Sequence, residues 1–125
     1  MHKFSRLFLL FSFVGTAPVF AQQSAIYTND LREYNKALAL YKDKQYQAAQ
    51  IIFEKVKAEN GNKNSDVEAD CAYYIANCAI RLNQSDADQK MESFVENYPT
   101  STKQNQAYIE VAHYYFEQGK YPQSM

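Results

Sequence analysis

Ala107-Tyr108-Ile109-Glu110-Val111-Ala112-His113-Tyr114-Tyr115-Phe116-Glu117-Gln118-Gly119-Lys120-Tyr121 is the stretch that decides the fold. Ile109, Ala112, Tyr115 and Phe116 fall at i, i+3, i+6 and i+7, the spacing of one helical face, and the run stops at a glycine. Upstream, Met91, Phe94, Val95 and Tyr98 form a second helical stripe. Turn-forming residues cluster at Asn60-Gly61-Asn62, Asn83-Gln84-Ser85-Asp86, Tyr98-Pro99-Thr100-Ser101 and Gly119-Lys120-Tyr121-Pro122. No stretch alternates strictly enough for a strand. The spacing predicts helices over 29–43, 46–59, 66–83, 86–98 and 101–118, with another starting near 121. Short turns between them make a train of antiparallel helices, so the expected fold class is all-α.

Caps agree with these boundaries. Ser65-Asp66-Val67-Glu68 and Ser101-Thr102-Lys103-Gln104 read as capping boxes, in which the hydroxyl accepts from an early amide and the acid or amide side chain returns the bond. Pro122 stands where a first helical turn would begin, and its missing N–H costs nothing there. Beyond residue 21 the chain holds 13 Ala and 11 Tyr but only 17 Leu, Ile, Val and Phe together. That mixture suits close-packed helices, with Ala letting backbones approach and Tyr filling the gaps.

Superposed on itself, the chain repeats a small residue at Ala37, Ala76 and Ala112, with gaps of 39 and 36. In the quoted stretch Tyr108, Val111, Ala112 and Tyr115 take aromatic, apolar, small and aromatic places, and Gly119-Lys120-Tyr121 a turn. The stretch resembles the first helix and turn of a tetratricopeptide repeat, whose period is about 34 residues. In the first unit Ala37, Leu40, Tyr46, Ala49 and Phe53 match the motif. Glu33 and Lys36 depart from it, so the register could slip by one and turn Tyr34, Ala37 and Tyr41 inward. In the middle unit Ile75, Ala76, Ala79, Met91, Phe94 and Pro99 match, but the unit has no glycine turn and aligns only after a one-residue deletion near Asp88. The resemblance implies a right-handed α-α superhelix of about two and a half repeats. Met125 falls inside what would be the partner helix of the third, which leads us to expect the amino-terminal piece of a longer solenoid or a truncated reading frame.

The first 21 residues read differently. Lys3 and Arg6 precede an apolar run, Leu7 to Val14, interrupted by Ser12, and Val19-Phe20-Ala21 supplies the small residues of a cleavage site. This is the layout of a secretory signal peptide (1–21), leaving 22–125 as the repeat domain. The apolar core is well short of the roughly 20 residues that span a bilayer. No Cys at the cut invites lipid attachment. The expected location is the periplasm or outer-membrane periphery. Cys71 and Cys78 must then be read for an oxidising compartment. Seven residues apart on one helix they sit roughly 10 Å apart, too far for a disulfide, and read as small buried apolar groups.

Chemistry is sparse. Past residue 21, 11 basic residues face 14 acidic ones, which gives no basic surface for nucleic acid. Glu110-x-x-His113 has the spacing of a helical metal pair, but there is no second His beyond the leader, so no metal and no cofactor is expected. No phosphate loop and no nucleophile–base set is visible, so the chain reads as non-catalytic. What remains is a surface. By the resemblance, first helices line the concave face, which would show Tyr34, Leu38 and Tyr41, then Tyr73, Asn77, Ile80 and Arg81, then Ile109, His113 and Phe116. Asn77 and Arg81, one turn apart, are the residues expected to contact a peptide backbone or carboxylate. The resemblance thus implies an exported scaffold that binds a protein or peptide partner, similar to periplasmic repeat proteins of envelope assembly. Two other readings stay open: a docking front end for a catalytic part beyond Met125, and self-association through an uncovered last helix.

Overall fold

The chain turns back on itself at Lys44, Asn83 and Gly119, each seven residues after one of the repeated alanines, and all three have left-handed backbone, at φ 62°, 53° and 73°. Two of these turns are closed alike. The amide of Lys44 donates to the carbonyl of Tyr41 and that of Gln45 to Leu40; Asn83 donates to Ile80 and Gln84 to Ala79. These paired bonds tie off the last carbonyls of a helix and reverse the chain at a left-handed residue. Gly119 donates to Phe116 in the same way. Asn83 therefore takes the part of the glycine that the middle unit lacks, since Asn tolerates the left-handed region better than most residues.

A computed structural model describes residues 19–119, with side chains from residue 31 onward. It contains five helices: α1 (Val19–Lys42), α2 (Tyr46–Asn60), α3 (Ser65–Arg81), α4 (Ala87–Asn97) and α5 (Gln104–Glu117). No strand occurs among the described residues. Each helix packs on the one before it, and α3 also touches α5, the neighbour-to-neighbour packing of an α-α solenoid. Most of the expected leader and the helix expected near 121 lie outside the described residues. None of the described helices is long and apolar enough to cross a membrane.

Two clusters make the core. Ala37, Ala49, Phe53, Val56, Cys71 and Cys78 join α1, α2 and α3. Ala69, Tyr73, Ala76, Ala79, Ile80, Ala87, Met91, Phe94 and Ala107 join α3, α4 and α5. Tyr74 packs against both, stacking on Phe53 at 5.0 Å. Ala49, Phe53 and Val56 of α2 and Ala87, Met91 and Phe94 of α4 share one internal spacing and are all buried. They are 38 residues apart where the first-helix alanines are 39 apart, so the middle unit is one residue shorter, as expected. Ala37 and Ala76 are 0% and 1% exposed, and Ala112 is partly buried. In the first unit the slipped register holds, with Tyr34 packed edge-on against Phe53 at 5.8 Å. Both cysteines are free and buried.

Several local expectations are corrected. α1 begins at Val19, not 29, because no Gly or Pro interrupts residues 19–42. α3 is capped by Asn64, not Ser65: the Asn64 side chain, on extended backbone, accepts from the amides of Asp66 (3.0 Å) and Val67 (3.2 Å). Glu68 does not return a capping bond; its carboxylate accepts instead from the Tyr98 hydroxyl at 3.1 Å. Ser101 Oγ accepts from the backbone N–H of Lys103, and the Gln104 side chain does not return a capping bond; its Nε2 donates instead to the carbonyls of Val95 (3.0 Å) and Tyr98 (2.7 Å) at the end of α4. On α5 the residues that pack against the core are Ala107, Val111 and Tyr114, not the stripe through Ile109 and Phe116.

Lys44 carries a Cβ in a conformation that costs roughly 1 kcal/mol for most L-residues. Lys44→Gly is therefore expected to raise stability by about that amount, and Ala76→Leu to lower it by about 2 kcal/mol by forcing α3 off its neighbours. Urea denaturation of the two variants checks both signs; a stabilised Ala76→Leu protein would contradict the close crossing.

Candidate partner-binding groove

The face made by the first helix of each unit, α1, α3 and α5, is organised by hydrogen bonds that cross between units. Tyr34 donates to Asp70 Oδ2 (3.0 Å), and about two helical turns further along α1 Tyr41 donates to Asn77 Oδ1 (2.7 Å); both pairs are 36 residues apart. Asn77 Nδ2 donates to the Tyr73 hydroxyl at 3.2 Å, and Arg81 Nε approaches Asn77 Oδ1 at 3.5 Å. Arg81 Nη2 then lies 3.7 Å from Glu110 Oε1 of α5. A single buried amide thus connects α1 to α3, and the neighbouring guanidinium connects α3 to α5.

Asn77 is 0% exposed and Tyr73 5% exposed. Asn77 does not offer its side chain to the groove, which corrects its expected placement, whereas Tyr73, though mostly buried, still lines the hollow on this face. Ile80 is likewise buried in the α3–α4 cluster. A polar side chain can be buried wherever its partners converge on it, and here the partners come from Tyr41 and Tyr73. Tyr34, Leu38 and Tyr41 are half-buried and pack against the first core cluster. Arg81, Ile109, His113 and Phe116 are exposed, with Ile109 at 68%. His113 Nδ1 lies 3.5 Å from Glu117 on the same helix, and Glu110 is directed to Arg81; no group of three or more metal-ligating side chains gathers among the described residues.

Between these helices lies an open hollow of about 290 Å³ lined by Tyr41, Tyr73, Tyr74, Lys103, Gln106, Ile109 and Glu110. Tyr74, Lys103, Gln106 and Glu110 were not among the expected groove residues. The only sequence signal for Tyr74 was its place beside Tyr73, and Lys103 read merely as part of a capping box. Two further hollows, of about 310 and 440 Å³, lie toward α2 and α4 and share Lys57 and Ile75.

Burial shapes the titration of the groove wall. Burial, followed by the charge of neighbouring Tyr73, pushes the Tyr41 hydroxyl up to about 12. Burial and then the Glu110 carboxylate push Tyr73 to about 12, and burial and the carboxylate of Asp70 raise Tyr34 well above the phenol range. For Arg81 burial acts to lower the pKa, but Glu110 and the surrounding tyrosines more than offset it, so the guanidinium is held charged.

Residues 70–101 match the family model of the tetratricopeptide repeat. The matched span runs from within α3 through α4, the unit whose helices both pack on two neighbours, rather than the 107–121 stretch in which the resemblance is plainest. No curated protein and no solved structure matches the chain. A tetratricopeptide repeat points to a protein–protein interaction scaffold, and the family is typically non-catalytic.

Two outcomes follow from this geometry. Asn77→Ala leaves the Tyr73 hydroxyl without its amide partner and removes the acceptor of Tyr41, so a loss of about 2 kcal/mol is expected in a chemical melt, with Tyr41→Phe milder. Stability should also fall at alkaline pH. Burial first, then Asp70 for Cys71 and Glu54 for Cys78, raises the two thiols from 9.0 to about 12, and Tyr41 and Tyr73 rise from 10.0 to about 12. The native state holds these protons more tightly than the unfolded chain, so this stability is complete below pH 9 and is lost as pH climbs through about 12. Circular dichroism with tyrosinate absorbance across that range tests the sign.

Proposed function

We propose that this protein is a non-catalytic scaffold of the bacterial cell envelope that holds a partner protein or peptide along the face of α1, α3 and α5. The observation that carries this reading is the hollow to which all three first helices, or the turn leading into them, contribute side chains. Beside it stand an exposed Arg81, Ile109, His113 and Phe116. Tyrosine, Arg and large apolar groups of this kind dominate interface energetics, because each combines contact area with a polar tip or a desolvated surface. The excess of acidic over basic residues beyond the leader favours a protein partner over nucleic acid. Lys3, Arg6 and the apolar run before Ala21 support export to the periplasm or outer-membrane periphery.

Two measurements test the proposal. A photo-reactive side chain in place of Ile109 should give partner adducts in intact bacteria, whereas one in place of Ile51, 60% exposed on α2, should not; adducts from position 51 alone would place the partner on the other face. Amino-terminal sequencing of the protein from a periplasmic extract should begin at Gln22. A product retaining Met1 in the cytoplasm would remove the envelope assignment.

A further inference from the structure

The hollow on the first-helix face has three aromatic walls. Tyr41 meets Tyr74 at 5.1 Å with the planes 66° apart, and Tyr73 meets Tyr74 at 5.1 Å and 74°, so consecutive rings stand nearly at right angles. Glu110, brought in by α5 and held by Arg81, adds a carboxylate to the rim. Ring faces and carboxylate are all negative surfaces, and Arg81 is already engaged by Glu110 and Asn77. Such a box suits a cation.

It holds one now, supplied by the chain itself. The Lys103 ammonium lies 5.4 Å from the centre of the Tyr74 ring and 5.9 Å from that of Tyr73. Among the described ion pairs Lys103 has none, so the rings are its counterpart. Its position is also unfavourable for a cation. Lys103 is the residue before the first turn of α5, where the helix presents its positive end. A cation arriving from a partner would meet the same rings and Glu110 without being tied to that helix end.

We propose that the Tyr41–Tyr73–Tyr74 box is a site for a cationic side chain, a guanidinium or ammonium on a basic partner segment, and that Lys103 is an internal stand-in which the partner displaces. The proposal rests on the groove reading above and deepens it by specifying what the partner brings. Removing Lys103 should then strengthen binding, the opposite of what loss of an ordinary contact residue does. The Lys103 contributions to the turn are backbone ones, its amide to Ser101 and its carbonyl to Ala107, so side-chain truncation preserves them.

The test uses the full chain and N-acetyl-arginine amide as the probe, followed by NMR shifts of the tyrosine rings and of the Ile109 methyls. Lys103→Ala is expected to bind the probe roughly fivefold more tightly than wild type, with Lys103→Gln behaving alike should the alanine variant melt early. Glu110→Gln should weaken binding, and N-acetyl-glutamate amide should leave the ring resonances unmoved. Equal or weaker binding by both Lys103 variants, or a preference for the acidic probe, overturns the proposal. Partner adducts at position 109 together with no arginine response would discard the box and keep the groove; absence of both would discard the two together.

Discussion

The close crossing of paired helices at a small residue is the constraint on which the rest of the molecule depends. Ala37 and Ala76 are essentially sealed from solvent, and any longer side chain at either place would separate two helices along their length. Seven residues later the chain must reverse within a single turn, which a left-handed residue achieves at Lys44 and Asn83 with matching hydrogen bonds. Crossing point and turn are therefore coupled. The alanine sets how near the second helix lies, and the turn delivers it there with Ala49, Phe53 and Val56, or Ala87, Met91 and Phe94, facing inward.

Polar groups then fix how neighbouring units sit on one another. Apolar packing is weakly directional, whereas a buried amide with defined partners is not. On the first-helix face the selection falls to Asn77, bonded to Tyr41 and Tyr73. Toward the second helices it falls to Gln50 and Gln84, whose amides exchange hydrogen bonds at 3.0 and 2.8 Å. No buried side-chain polar atom among the described residues lacks a partner. A shift of one unit against the next would break both sets together.

The same architecture explains why the groove is aromatic. Tyrosines on the first helices bury their rings in the core clusters and turn their hydroxyls or ring faces toward the space between units. One residue type thus serves packing and surface at once, which a purely aliphatic core could not do. The first-helix face is a by-product of how the core is filled, and its chemistry of ring faces bordered by Arg81, Lys103 and Glu110 follows from that.

The amino-acid sequence by itself determined the helical class, four of the five helix starts to within a few residues, the buried alanines, the one-residue shortening of the middle unit and the inert cysteines. All of these follow from periodicity, turn residues and spacing along one chain segment. Only the tertiary structure decided that Asn77 is a buried node and not a contact residue, that Asn64 and not Ser65 caps α3, that Gln104 serves the end of α4, and that Tyr74 and Lys103 belong to the groove. Each of these depends on a partner that folding brings close or on which of two adjacent polar side chains the backbone aims correctly. A polar residue's fate is set by the geometry of its neighbours, and a linear pattern of apolar and polar positions does not contain that geometry.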